Sequence, residues 1–319
     1  MGIRNFNVII KKHAKDSVTE RPIQDYHGKR MAIDCSILLY KYRYAAKQNE
    51  NCHISGFMNR VKYYLSNGVV PVFVFDGAPP DAKKNTLVKR QDLKKKISDK
   101  IETLKKIEPN SEDEENKLNE EINKLESQIV YVKKTHVDDC KKLMSLLGIP
   151  FVTAPDEAEK YCAFLQKQGL VDYTVTDDTD ALTFGCENVI RMGIMGDLVE
   201  VNLKSILESF EMTQGQFIDF CILAGCDYCP YIPKIGGLTA YSLIKKHISI
   251  EEVIKNTKYS FPEDFNYSEA RGLFTVFDYP IPEKFEITPI DKNGVAEFLE
   301  SKDFKENYIS RFIKNFNSE

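Results

Sequence analysis

The sequence predicts an α/β fold: a central, mostly parallel sheet flanked by helices, with a helical insertion rising from one end. Three observations predict it. Short apolar runs alternate with stretches of helical periodicity, the pattern of parallel strands that cross over through helices. Three of those runs end in acid: Asp34, Asp76, and the group Asp177, Asp178 and Asp180. Between the second and third lies a lysine-rich stretch too charged for a core.

The elements follow in order. "KRMAIDCSILLYKY" supplies the first strand, ending at Asp34. "ISGFMNRVKYYLSNG" is a helix closed by an Asn-Gly C-cap. "VPVFVFDGAPPDAKKNTLVKR", residues 70–90, opens as a buried strand through Val70, Val72, Phe73, Val74 and Phe75, then breaks at Asp76-Gly77 and a double proline. Residues 83–106 carry Lys83, Lys84, Lys89, Arg90, Lys94, Lys95, Lys96, Lys100, Lys105 and Lys106, with Ile97, Ile101 and Leu104 at helical spacing. "EPNSEDEE" interrupts the helix, and Ser111 with Glu114 forms a capping box. Leu118, Ile122, Leu125, Ile129 and Val132 trace a second helical stripe, so the insertion is a helical hairpin. Its distal half, 108–126, reads as a solvated arm, whereas the basic first helix starts just beyond an acidic strand end.

"GLVDYTVTDDTDALTFG" gives the third strand, with Val171, Tyr173 and Val175 alternating before the acids. The rest is mainly helical. Thr213 starts one helix, a turn holds Asp227, Gly236-Gly237 opens another helix, and Ser249 with Glu252 forms a further capping box. The expected organisation is one domain, 1–319: an N-terminal region 1–82, the helical insertion 83–135, an internal region 136–248, and helices of 249–319 packed back on the body.

A chain of 319 residues, 42% hydrophobic and 29% charged, is that of a globular protein. No run of 18 apolar residues is present, and "MGIRNFNVIIKKHAK" has no secretory h-region, so an intracellular protein with no membrane partner is expected. Phe6 breaks the myristoylation pattern. The eight cysteines are scattered and read as reduced thiols; Cys226-x-x-Cys229, lacking a fourth ligand, reads as core thiols rather than a zinc site. The net charge of −4 does not exclude nucleic acid, because local patches decide that.

Glu157 and Glu159 add a fourth acidic pair in "APDEAEKYCAFL", at the start of an apolar helix. In open parallel sheets functional groups collect beyond the carboxyl ends of the strands. Asp34, Asp76, Glu157, Glu159, Asp178, Asp180 and Asp227 therefore gather on one rim. So many carboxylates cannot all stay ionised without counter-charge. Oxygen-only ligands favour Mg²⁺ or Mn²⁺, and two such ions about 4 Å apart suit in-line attack on a phosphodiester. Each signal alone is weak: as an isolated pair, Glu157 and Glu159 are ordinary first-turn acids, and Asp227 alone is a turn residue. Three strand-end acids beside a lysine-rich helix shift the balance. The glycine turn in "KIGGLTAYSLI" can present backbone N–H groups to a phosphate, although a plain turn explains that piece alone equally well.

These residues resemble the flap endonucleases of the structure-specific 5′ nuclease superfamily, over nearly the whole chain. The resemblance rests on "MGIRNF", "AIDCSILLY", "VFVFDGAPPDAKK", "APDEAEKYCA", "TDDTDALTFG" and "LAGCDYCPYIPKIGGLTAYSLIKKH", in the family's order. It implies a helical arch and a helix–two-turn–helix DNA-binding motif. By the same resemblance the seven acids form a two-metal site for Mg²⁺, with Mn²⁺ able to substitute. Lys83 and Arg90 are the basic pair at the foot of the arch, reaching the scissile phosphate. Tyr40 stacks near the nucleotide being cut, and Gly2 lies by the junction. Gly236 and Gly237 belong to the duplex-binding turn, which in the family also holds K⁺. Lys84 and Lys234 add positive charge to these two DNA-facing patches.

The departures are specific. Lys234 replaces the first glycine of the family's Gly-Ile-Gly turn. The segment between Asp34 and Asp76 is short, which reduces the duplex-opening wedge and the 3′-flap pocket. The sequence ends at "FIKNFNSE" without the sliding-clamp peptide, which leaves the clamp open as a partner. The reading is a monomeric, Mg²⁺-dependent nuclease acting on 5′ flaps and branched double-stranded DNA in replication, repair or recombination, nuclear in a eukaryotic cell. A 5′–3′ double-strand exonuclease and a Holliday-junction resolvase are the enzymatic alternatives. The excision-repair nuclease, with its longer spacer, fits worse. A DNA-junction binding protein is the non-enzymatic alternative, and the full set of acids speaks against it.

Overall fold

The computed structural model describes residues 3, 5–46, 49–192 and 198–316. Its sheet has seven strands: β1 Val18–Arg21, β2 Arg30–Asp34, β3 Val70–Phe75, β4 Phe151–Thr153, β5 Tyr173–Val175, β6 Asn188–Met192 and β7 Leu198–Asn202. They lie in the order β1-β7-β6-β5-β2-β3-β4. The pairs among β2 to β6 are parallel, while β7 runs antiparallel to both β6 and β1. The predicted mixed, mostly parallel sheet is therefore present.

Strand β3 shows why the sheet is buried on both faces. Phe73 and Phe75 pack on one side against Phe57, Leu143 and Leu147. Val72 and Val74, pointing the other way, meet Ala158, Cys162 and Leu165. Val295 and Leu299, from the helix Lys292–Glu300, with Ile309 and Phe312, from Glu306–Phe316, complete the first layer. A further core, including Phe210, Phe217 and Phe220, holds the helices of the second half together. No helix among the described residues is long and apolar enough to cross a membrane.

The insertion is the expected hairpin. Helix Lys84–Leu104 runs out and helix Glu112–Glu126 returns, capped by Ser111, whose Oγ accepts from the Glu114 N–H at 3.3 Å. Ile101 and Ile122 are buried in the seam, and Lys100–Glu121 and Lys105–Glu126 ion pairs, each at 2.7 Å, tie its sides. The returning helix stops earlier than its apolar stripe suggests. Ile129 and Val132 lie beyond Glu126 in irregular chain, where Val132 is half-buried against the main core.

Thr213 caps the helix Gln214–Ala224 in a full capping box, and Ser249 caps Ile250–Asn256. The helix Gly237–His247 starts from Gly236, as the glycine turn predicted. The left-handed residue of that turn is Lys234, at φ 67°. It stands where the resembling family has glycine and keeps a glycine-type conformation.

Candidate active site

Register sets the site. Asp34 ends β2 opposite Val74, and Phe75 ends β3 opposite Thr153 of β4. The chain leaves these strands on one edge of the sheet, carrying Asp34, Asp76 and, after β4, Glu157. Gly77 makes the exit from β3 possible. Its N–H donates to the Asp156 carbonyl at 2.6 Å, and a Cβ there would overlap the Ala154 carbonyl oxygen.

Asp34, Asp76, Glu157, Glu159, Asp178 and Asp227 line a single pocket with Tyr40, Lys83, Leu87 and Arg90. Asp180 lies just behind, buried, with the Asp180 N–H donating to Asp178 Oδ1 at 3.1 Å. Short-range partners orient the acids. The Ser36 N–H and the Thr176 hydroxyl donate to the two oxygens of Asp34 at 3.0 and 2.8 Å. The Ala158 N–H donates to Asp76 Oδ1 at 2.8 Å, and the Ser36 hydroxyl donates to its other oxygen. The Tyr228 hydroxyl donates to Glu157. Ile3 is pinned beside the pocket, its N–H donating to Thr179 Oγ1 at 2.7 Å.

Charge in the pocket is strained. Burial, then the neighbouring Asp76 charge, raises the Asp34 carboxyl to about 7. Burial, then Asp34, holds Glu159 well above the carboxylate range, and burial, then Asp178, does the same for Asp180. The counter-charge comes from the arch. Lys83 is ion-paired with Glu157, and its Nζ lies 3.4 Å from Asp227 and 3.9 Å from Glu159. Arg90 Nη2 donates to both oxygens of Asp227 at 2.8 Å. Lys83 ends a short 3₁₀ turn just before the arch helix instead of lying within it, yet both cations reach the same acid.

The donors are all oxygen, the set that hard divalent cations take. Asp180 Oδ1 is buried with no hydrogen-bond partner, an orphan that a cation would satisfy. These residues fit divalent metal. Among the described residues, however, no three His, Cys, Asp or Glu side chains converge closely enough to hold one ion. Lys83 and Arg90 draw Glu157 and Asp227 to themselves instead.

The remaining predicted residues are dispersed. Tyr40, 41% exposed, stands on the pocket rim. Lys84 is exposed, pairs with Asp81 at 2.8 Å and does not line the pocket. Lys234 is exposed, Gly236 half-buried and Gly237 buried, all in the turn before Gly237–His247. Gly2 lies outside the described residues. Cys229 is buried and Cys226 nearly so, as core thiols should be. Sequence reasoning missed Ser36, Thr176 and Tyr228. Each sits within two residues of a predicted acid, which was the available signal.

Residues 1–97 match the XPG N-terminal domain and residues 148–227 the XPG I-region, so the fold and the acid-lined pocket are those of an XPG-type nuclease, a DNA-cleaving enzyme. The chain is 37% identical over 340 residues to flap endonuclease 1 of Danio rerio, covering 98% of this chain and 86% of that protein. The chain belongs to the flap endonuclease family. Its fold is similar to that of the catalytic core of Rad2 in complex with DNA substrate (TM-score 0.77, 21% identity, 99% and 100% of the two chains). It is also similar to flap endonuclease-1 from Methanococcus jannaschii (TM-score 0.69, 23% identity, 94% and 95%).

Proposed function

We propose that this chain is a Mg²⁺-dependent, structure-specific 5′ nuclease that cuts 5′ flaps and related branched DNA, working as a monomer in replication, repair or recombination, in the nucleus where the cell has one. The observation that carries the reading is the meeting of Lys83 and Arg90 with Glu157 and Asp227 at the carboxyl edge of the sheet. Acids and cations able to handle a phosphodiester share one pocket.

The residues that would hold two Mg²⁺, or Mn²⁺ in their place, are Asp34, Asp76, Glu157, Glu159, Asp178, Asp180 and Asp227; bound there, such ions supply positive charge and an activated water. Ser36, Thr176 and the Ala158 N–H keep Asp34 and Asp76 aimed into the pocket. Lys83 and Arg90 stabilise the negative charge that builds on the phosphate during attack. Tyr40 offers its ring to the adjoining base. The products are a 5′-phosphate and a 3′-hydroxyl. The left-handed Lys234 supports a duplex-binding turn with the backbone course of a glycine turn, and with it a K⁺ site. The exposed Lys234 and Lys84 add phosphate contacts, and Gly2 lies by the junction.

The test is a panel of 5′-flap, nicked, blunt and four-way-junction substrates, each with and without Mg²⁺. Cutting of the flap one nucleotide into the duplex, only with Mg²⁺, is expected. Preference for the blunt end or the junction moves the chain to exonuclease or resolvase. Tight binding with no cutting of any substrate makes it a binding protein.

A further inference from the structure

Cys226 and Cys229 bracket a turn whose two central residues are Asp227 and Tyr228. A four-residue turn brings its end Cα atoms within about 7 Å, the range that a disulfide spans. The two thiols face each other across it, and Cys226 Sγ also accepts from the Tyr228 and Cys229 N–H groups. Both are within reach of solvent. Cys226 is the one part-exposed cysteine of the eight. Cys229, although only 9% exposed, lines a groove with the exposed Asn85 and Lys89 of the arch and the exposed Asp264 and Glu269. The turn between them carries much of the pocket's support. Asp227 accepts from Arg90 through its carboxylate and from the Thr86 hydroxyl, at 2.8 Å, through its carbonyl, while the Tyr228 hydroxyl donates to Glu157. A change in the shape of this turn therefore reaches the arch and the acidic rim together.

We propose that Cys226 and Cys229 are a reversible dithiol–disulfide site, open to small-molecule disulfides, and that its oxidation misplaces Asp227 and slows cutting. The proposal rests on the reading of Asp227 as one of the metal-holding acids, and adds redox control to it. One protein thiol attacks a sulfur of the small disulfide, and the first small thiol leaves. The second protein thiol then displaces the other small thiol. The Cys226–Cys229 bond forms, the small S–S bond breaks, and the two protein thiol protons leave on the two small thiols. Two electrons pass from the protein to the oxidant. The new bond holds the sulfurs about 2 Å apart, closer than two thiols approach, and so tightens the turn that carries Asp227 and Tyr228. Reduction reverses each step.

The experiment incubates the folded full chain with glutathione disulfide, alkylates the remaining thiols and maps them by mass spectrometry. Aliquots taken before alkylation are assayed for single-turnover cutting of a 5′ flap with Mg²⁺. In wild type, Cys226 and Cys229 should escape alkylation as a linked pair that carries no glutathione. The rate should fall about a hundredfold, as expected when a group at the reacting centre is misplaced by about 1 Å. Dithiothreitol should restore both thiols and the rate. Cys226→Ser keeps an acceptor for the two N–H groups but cannot close the bond, and Cys226→Ser/Cys229→Ser removes both thiols. Each should cut at the reduced wild-type rate, with or without glutathione disulfide. Full alkylation of both cysteines after treatment would overturn the site. So would a linked pair with an unaltered rate, or a rate loss that persists in the double variant. If reduced wild type cuts no flap, the flap-nuclease reading falls, and the mass map still decides whether the pair forms.

Discussion

Lys83 and Glu157 are 74 positions apart in the chain, yet their ion pair joins the foot of the arch to the acidic rim of the sheet. Arg90 repeats the connection at Asp227. Each cation touches a carboxylate and, on the proposed reading, meets the phosphate when DNA binds.

If these cations act chiefly on the charge that builds during attack, Lys83→Ala and Arg90→Ala should each lower the single-turnover rate about a hundredfold or more. Substrate affinity should change far less. Lys105, paired with Glu126 out on the arm, is the control, and Lys105→Ala should be mild. Rates at saturating enzyme decide the matter: equal losses in all three variants would reduce the basic face to a solvated arm.

The buried acids give a second expectation. Asp178→Asn or Asp180→Asn should abolish cutting while branched-DNA affinity, read by fluorescence anisotropy, holds or improves, because negative charge near phosphate is lost. Near-normal single-turnover cleavage by both variants would contradict a metal-holding role.

Lys234 separates conformation from charge. A left-handed backbone costs an L-residue about 1 kcal/mol, part of which glycine returns as unfolded-state entropy. Lys234→Gly should therefore melt no lower than wild type by thermal denaturation. If Lys234 contacts a phosphate, the same variant should bind branched DNA more weakly, with a log–log salt slope shallower by about one. An unchanged slope would remove Lys234 from the interface.

A pH effect arises outside the residues that line the pocket. His136 is buried, its ring 4.7 Å from that of His53, and its Nδ1 accepts from the Lys133 N–H at 3.1 Å. Burial, then the neighbouring His53 and Arg43, depresses it to about 4 from an ordinary 6.5. Between those values the unfolded chain binds the proton and the folded chain does not. Stability should therefore fall as pH drops from about 6.5 toward 4. His136→Gln should flatten that part of the urea-midpoint profile; an unaltered profile would assign the acid sensitivity elsewhere.

What the sequence disclosed depended on how strongly each segment was constrained. Strands β2 and β3 are buried runs, so their pattern and terminal acids are plain. All four residues of β1 are exposed, and β4 has three residues, neither enough for a period. The antiparallel β6 and β7 were also missed; each is only five residues long and part-exposed, with no unbroken apolar run. The acids were legible because carboxylates are rarely buried without purpose. Ser36, Thr176 and Tyr228 were not, because a hydroxyl shows its use only through the partner that folding brings to it.

The strand order also bears on synthesis. β1, the first strand made, has β7, the last, as its sole neighbour in the sheet. Ile3 likewise waits for Thr179. A chain emerging from the ribosome therefore carries Asp34 and Asp76 early, but cannot close its edge strand until residues 198–202 have appeared. Nor can it finish the ring of acids until Asp227 follows. Contacts of such sequence separation close slowly, so the edge strand is expected to join the sheet after its parallel centre has formed.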